Sequence, residues 1–519
     1  MIRAAAAGAL AALALAAPAN AATCTVGPGA QYPTIDAAVD VGTCTDVQVA
    51  PGTYTEAPIA VTRTGLTISA PQGGVTVTPT GSPAFTLSGA DATLRGLAVA
   101  EAAGVSGVRI TGARATLDGV TVRSPAIAVD TTATGTKVLR STVVATGATG
   151  DALLVRAAST GDVAARVESS ILAATGRGTA TALRARSQTG SSGDVAVTLV
   201  QATVPHRVVL DSGGVAGRVR ATATRSIVAA PPAGVTVTAS DTATPADKLY
   251  RDPAGDFRLR ADAPVIDRGG TPAAGESDKD IEGEPRLAGP ATDLGADEFH
   301  NQAPVAALVA ARPRVRQNTP VRLSAATSAD PEAAYGGGLA RYEWDFGDGA
   351  TETTTEPSIE HAYPATGTYP TTVKVTDRQG ASATSAAVPV TVVDGLAPVL
   401  GFAFPRASAA IAGTGRLRFS GVARDRSGIR SVQLSLRRTR PASAAATTRR
   451  CRYLNPARKR LVTRSCSRPL FFTVTYRKGR WRYDTRGRFR LSPGRWQATI
   501  RARDRAGNQG TRTVKFAVR

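Results

Sequence analysis

The sequence predicts an all-β protein: a solenoid of short stacked strands followed by two β-sandwich domains. Three observations carry this. A six-residue element recurs through the first half at intervals mostly in the twenties. Short runs of alternating apolar and polar residues, bounded by Gly, Pro, Asp and Ser, fill the remainder. Segments of helical period are nearly absent, apart from a short amphipathic stretch at residues 32–39.

The chain has 519 residues. Met1-Ile2-Arg3, the apolar run Ala4 to Ala17 and the small residues of Ala19-Asn20-Ala21 read as an export leader, residues 1–21, with its cleavage site. The rest is long enough for about three domains. Aromatics are 5 % and the one Met is the initiator, so a core must be built from Ala, Val, Leu and Ile. The 52 Gly and 32 Pro are too few for a collagen or a low-complexity tail. After the leader no apolar run approaches the ~20 residues of a membrane span. No twin-Arg pair, lipobox Cys, sorting motif or apolar C-terminal tail is visible, so the expectation is a secreted chain without covalent anchor.

Export permits disulfides. The four cysteines form two close pairs, Cys24/Cys44 and Cys451/Cys466, and two local bridges are predicted. The other two connectivities would tie opposite ends of the chain together. Metal ligation is the weaker reading: no pair has CxxC spacing, and there are only 3 His.

The charge is concentrated at one end. Residues 395–519 hold 31 Lys+Arg against 3 acids (Asp425, Asp484, Asp504), a net of +28. The rest carries 31 bases and 37 acids, so the whole formal +22 comes from the last quarter. A patch of that density attracts polyanions in a salt-sensitive way. Only 3 of those 31 bases are Lys, a bias that genome composition can also produce.

Past Cys24, Tyr32 to Val39 reads as a short helix, and Val47 to Tyr54 as a strand ending in a Pro-Gly turn. The repeated element appears as Leu94-Arg95-Gly96-Leu97-Ala98-Val99 and Leu117-Asp118-Gly119-Val120-Thr121-Val122. Looser copies begin at Leu139, Val167, Leu199 and Ala223, giving intervals of 23, 22, 28, 32 and 24 residues. Such a period, with about three short strands per repeat, marks a solenoid whose coils bury their inner faces by stacking. An antiparallel sandwich is the competing architecture.

The opening Tyr32-Pro33-Thr34-Ile35-Asp36-Ala37-Ala38 and Val49-Ala50-Pro51-Gly52-Thr53-Tyr54 resemble the start of right-handed parallel β-helix proteins of the pectin-lyase-like superfamily. That resemblance implies that the helix caps the N-terminal end of the solenoid. Ala263 to Gly269, Asp280 to Arg286 and Thr292 to Phe299 resemble the closing segment of exported bacterial β-helices. Residues 22–299 are thereby assigned to a β-helix.

Residues 300–394 carry a sharper motif. Tyr342-Glu343-Trp344-Asp345-Phe346-Gly347-Asp348-Gly349, then His361-Ala362-Tyr363, Gly367-Thr368-Tyr369 and Val373 to Asp377, resemble the PKD domain, a β-sandwich named for polycystic kidney disease proteins. Trp344 and Phe346 alternate with polar neighbours, so one strand face is buried. Asp345, Asp348 and His361 are expected to serve the turn and the core rather than catalysis or a metal. The resemblance implies a spacer or binding module.

Residues 395–519 alternate as strands at Leu417–423, Ile429–436, Trp496–502 and Val514–518. Arg424-Asp425-Arg426-Ser427-Gly428 and Arg503-Asp504-Arg505-Ala506-Gly507-Asn508 resemble turns of bacterial immunoglobulin-like (Ig-like) modules. Cys451 and Cys466 bracket a basic insert with Arg452, Arg458, Lys459, Arg460 and Arg464, preceded by Arg449 and Arg450. These seven are the candidate anionic-polymer site. Tyr453, Phe471, Phe472, Tyr476, Trp481 and Tyr483 are interleaved with bases. They could stack on sugars or nucleobases, or form the sandwich core.

Catalysis finds little support. The lyases and hydrolases of β-helix architecture need a base beside clustered acids. Here Asp118, Asp130, Asp151, Asp162, Glu168, Asp194 and Asp211 are scattered, and Arg123 and Arg140 read as solvated side chains. A nucleophile elbow, P-loop and zinc motif are all missing, so no catalytic, cofactor or metal residue is assigned. The expectation is a secreted, monomeric, non-enzymatic protein that binds polysaccharide or anionic wall polymer through its Arg-rich domain. The alternatives are a polysaccharide lyase or hydrolase acting through the β-helix, and extracellular DNA binding by the basic domain.

Overall fold

A computed structural model describes residues 22–519 except 101–103, 105, 158–159, 177, 214–217, 230–234, 238–241, 245–247, 414–415, 440–449 and 486–489. The leader (residues 1–21) and Arg449 therefore lie outside the described residues. The chain divides into two compact units: residues 1–302 with 332–337, and residues 303–331 with 338–519.

The first unit contains three all-parallel sheets of ten, seven and nine strands. Each coil supplies one strand to each sheet, as the short β-branched segments require. Residues in register form apolar stacks. One runs Val47, Ile68, Leu94, Leu117, Val138, Val167, Leu199, Ala223. A second runs Ile59, Phe85, Val108, Val129, Leu153, Leu183, Val208. All are buried. No coil could bury these side chains alone, so the solenoid is held together by contact between neighbours.

The register corrects one copy of the repeat. Val138, not Leu139, aligns with Leu117 and Val167, so the flanking intervals are 21 and 29 residues. Arg140, at φ 45°, then takes the turn position of Gly96 and Gly119, followed by Ser169, Gln201 and Arg225 at φ 46–49°. Main-chain N–H groups of Gly96, Gly119, Arg140, Ser169 and Gln201 each donate to a carbonyl of the next coil. The left-handed turn geometry is the repeating feature, and only some coils spend a glycine on it.

The N-terminal end is closed. The helix Ile35–Val39 has Thr34 as its N-cap, and its Ile35 N–H donates to the buried Glu56 carboxylate at 2.8 Å. Cys24 and Cys44 are bonded, as are Cys451 and Cys466. The segment after the last coil packs along the side of the solenoid: Gly295 N–H donates to Arg225 O, Ala296 N–H to the Thr203 hydroxyl and Ser277 N–H to the Glu168 carboxylate. The acid-rich closing motif serves backbone amides. Asp280 accepts from Glu282, Glu284 and Glu298, and Asp293 accepts from Asp267 and Phe299. Arg286, 1 % exposed, donates to the carbonyls of Ala296, Asp293 and Gly295.

The second unit contains two sandwiches. In the first, a three-stranded sheet (Val309–Ala310, Pro320–Ser324, Ser358–Ala362) faces a larger one that includes Leu339–Asp345 and Gly367–Asp377. Trp344, Phe346 and Tyr363 fill its core. In the second, Val399–Phe404, Arg418–Arg424, Arg480–Asp484 and Thr475–Arg477 form one sheet. The other is built on Ile429–Arg438, Gly494–Asp504 and Gln509–Val518, and carries the hairpin Arg450–Asn455/Arg460–Ser465. Phe419, Trp481, Trp496, Leu434 and Ile500 lie between them. The architecture is all-β, a parallel β-helix followed by two sandwiches.

Candidate functional site

Four buried acids of the solenoid are already engaged. Asp118 holds Arg140 at 2.5 Å and Arg95 at 3.1 Å, both from neighbouring coils. Asp130 holds Arg156 at 2.9 Å and Arg109 at 3.6 Å. Asp151 accepts from Arg184 and Thr181, and Glu168 from Arg166 and Ser277 N–H. Arg140 is therefore not the solvated side chain its position suggested. These acids are buried, so each ion pair offsets the desolvation of its carboxylate, and all but Arg166–Glu168, which lies within one strand, link neighbouring coils. His206 accepts from Ala174 N–H and sits edge-on to Phe257. Burial pushes its imidazole pKa down, favouring the neutral ring.

Three groups of acids, one with a His, bring their ligand atoms within 4.8 Å of one another among the described residues: Asp280/Glu284/His300, Asp280/Glu282/Asp297 and Asp394/Asp425/Asp504. Local hydrogen bonds account for most of these carboxylates. Asp297 accepts from Leu259 N–H, Asp425 from Ser427, and Asp504 from Asn508.

In the first sandwich Asp345 accepts from Gly347 N–H and Asp348 from Ala350 N–H, as turn carboxylates do. Asp348 also bonds His361 at 2.9 Å. Burial raises its pKa, but the hydrogen bond from His361 holds the carboxyl below its usual value. His361 stacks face to face on Phe346 at 3.8 Å and sits edge-on to Tyr363 at 4.6 Å.

The basic insert is an antiparallel hairpin. Arg450 pairs Ser465 and Arg452 pairs Thr463, whereas Cys451 pairs Arg464 and Asn455 pairs Arg460. Side chains alternate, so Arg450 and Arg452 lie on one face and Arg460 and Arg464 on the other. Arg458 and Lys459 sit at the exposed tip. The hairpin thus does not gather its bases into one patch. The interleaved aromatics pack inward: Tyr453 and Trp481 are buried, and Phe472, Tyr476 and Tyr483 pack on the core. Phe471 lies under the Arg501 guanidinium, 3.9 Å from its ring centre.

The structure gathers charge elsewhere, on the outer face of the four-stranded sheet. Arg418 and Arg424 on one strand, Arg480 and Arg482 on the next, and Arg477 on the edge all point outward and are exposed. Among the described residues the one acid on this face is Asp484. Its side chain is 9 % exposed, and it holds Arg416 at 2.7 Å, Arg482 at 3.6 Å and Arg418 at 3.9 Å. Beside it runs a groove of about 810 Å³, lined among others by Arg477, Arg480, Arg482, Asp484 and the hairpin tip at Lys459. Sequence reasoning missed this face. Its bases are spread over residues 416–482, and only strand pairing brings them together.

Residues 301–392 match the family model of the PKD domain. Among solved structures, the PKD1 domain of Epp from Vibrio anguillarum is 28 % identical, covering 18 % of this chain and 99 % of that one, at a TM-score of 0.15. The fibronectin(III)-like modules of CbhA from Clostridium thermocellum are 15 % identical, covering 41 % of this chain and 94 % of that one, at a TM-score of 0.17. A bacterial ice-binding adhesin is 12 % identical, covering 43 % of this chain and 67 % of that one, at a TM-score of 0.20. No helix among the described residues is long and apolar enough to cross a membrane.

Proposed function

We propose that this is a secreted, non-enzymatic binding protein that attaches to anionic extracellular polymer through its C-terminal sandwich. In this reading residues 1–21 are a signal peptide. Residues 22–299 are a right-handed, pectin-lyase-like β-helix presenting an elongated face. Residues 300–394 are a PKD spacer, and residues 395–519 an Ig-like module that carries the attachment. The observation that carries it is the basic sheet face, where at least six bases surround a single acid that three of them already share. A folded domain accumulates such like charge at a cost in self-repulsion, and a polyanion relieves it. Binding is favoured over depolymerisation because the buried solenoid acids are tied to arginines and to backbone amides.

The test is a panel of acidic and neutral polysaccharides incubated with the mature full-length chain. Both retention and the appearance of unsaturated or reducing ends are read. Salt-sensitive retention on acidic members without new ends is the expected result. New ends abolished by changing Asp130 or Arg156 would replace it with the lyase or hydrolase reading.

A further inference from the structure

The attachment reading assigns the work to a domain, and the sheet register points to a seat within it. On the outer face Arg477 lies directly opposite Arg480. Like charges directly across a sheet are destabilising, and among the described residues no acid forms an ion pair with either of them. Same-face residues of one strand are about 6.6 Å apart, and adjacent strands about 4.8 Å, so the guanidiniums present a lattice of positive charge at that spacing. The adjoining groove of about 810 Å³ has room for a few sugar rings. It also offers two exposed hydroxyl side chains, Thr473 and Thr475, beside Arg477, Arg480, Arg482 and Lys459.

We propose that this groove binds a linear polyuronate, an acidic polysaccharide with one carboxylate per sugar ring. Guanidinium groups match planar carboxylates in a two-point fork, and the threonine hydroxyls suit sugar hydroxyls. A single-stranded nucleic acid fits less well, because its sequence-tolerant binding needs aromatic platforms. The rings near this groove are Trp481, which is buried, and Tyr483, which packs on the core. This inference rests on the attachment reading and narrows it to one face and one ligand class.

The experiment is calorimetric titration of the full-length chain with a hexauronate. Its carboxyl-reduced neutral counterpart and a single-stranded oligonucleotide of equal charge serve as comparisons. Two double variants remove equal charge from exposed positions: Arg477→Gln/Arg480→Gln in the groove, and Arg458→Gln/Arg460→Gln on the hairpin. The expected result is a loss of about tenfold or more for the groove variant, the scale of a charge-assisted hydrogen bond, against less than about threefold for the hairpin variant. The neutral oligomer should bind neither wild type nor variants. Equal losses from both variants would overturn the groove while leaving attachment by diffuse charge intact. Equal or tighter binding of the oligonucleotide, or undiminished binding of the neutral oligomer, would overturn the ligand class. Failure of the wild-type chain to bind any polyanion would overturn the attachment reading itself. Circular dichroism of both variants confirms that their folds are unchanged.

Discussion

Two glycines of the solenoid, Gly112 and Gly119, separate two reasons for using the residue. At Gly112 a Cβ would lie 2.3 Å from the Gly89 carbonyl oxygen and 2.7 Å from that of Ser88. Both obstacles are backbone of the previous coil, so alanine must push two stacked coils apart and lengthen the hydrogen bond from Gly112 N–H to Leu87 O, now 3.0 Å. Overpacking of this kind costs about 3 kcal/mol or slightly more. At Gly119 the nearest atoms to a Cβ are 3.9 Å away, and only the left-handed φ of 64° opposes a side chain. That conformation costs about 1 kcal/mol. The next four coils already place Arg140, Ser169, Gln201 and Arg225 at the same turn. In a unit of this size 1 kcal/mol moves the melting midpoint by about 2–4 °C. Gly119→Ala should therefore lower it by about 2–4 °C, and Gly112→Ala by roughly three times as much. Thermal melts of the full chain followed by circular dichroism read both. Equal shifts, or a larger one for Gly119→Ala, would refute the claim that coil spacing and turn handedness are separate constraints.

Three further predictions follow from other parts of the molecule. In the closing motif, burial first and then the Asp293 charge push the Glu298 carboxyl from 4.5 up to about 7, and burial pushes Asp293 from 3.8 up to about 6. The folded state then holds protons that the unfolded chain releases, so the contribution of these two carboxyls to stability is full below about pH 4 and is lost as pH rises toward 7, by about 3 kcal/mol for Glu298 alone. Glu298→Gln should flatten that fall in denaturant titrations at several pH values, and an unchanged slope would contradict the assignment. Arg480→Thr removes the like-charge pair with Arg477 and should stabilise the C-terminal sandwich by about 0.2–1 kcal/mol while weakening polyuronate binding, a combination that a purely structural arginine would not produce. Replacing Cys451 and Cys466 by Ser opens a loop of 15 residues and should cost about 3 kcal/mol in chemical unfolding, yet leave polymer retention at low temperature nearly intact.

Much of the fold was legible because it rests on local signals. The amphipathic stretch at residues 32–39 announces a short helix, Trp344 and Phe346 alternate as a buried strand must, and the two cysteine pairs are close in sequence. The repeat was legible too, but its third copy was misplaced by one residue. Leu139-Arg140-Ser141 mimics the spelling of Leu94-Arg95-Gly96, while the feature the coil needs is a left-handed turn, which Arg140 supplies without being glycine. The ion pairs between coils were hidden because partners such as Asp130 and Arg156 are separated by irregular turn lengths. The charged face was hidden for a related reason. The sequence concentrates bases between Cys451 and Cys466, and the hairpin then sends them to opposite faces. Arg418, Arg480 and Arg477 come together only once three antiparallel strands are in register.

The central claim is that the C-terminal sandwich holds the protein on acidic polymer by charge. Its most direct test is the affinity of the full-length chain for immobilised polyuronate between about 0.1 and 1 M salt, over which the screening length falls from about 10 to about 3 Å. The account predicts a steep, continuous loss of affinity, with no measurable binding to the matched neutral polymer at any salt concentration. Affinity that persists unchanged across that range, or equal binding to the neutral polymer, would contradict it.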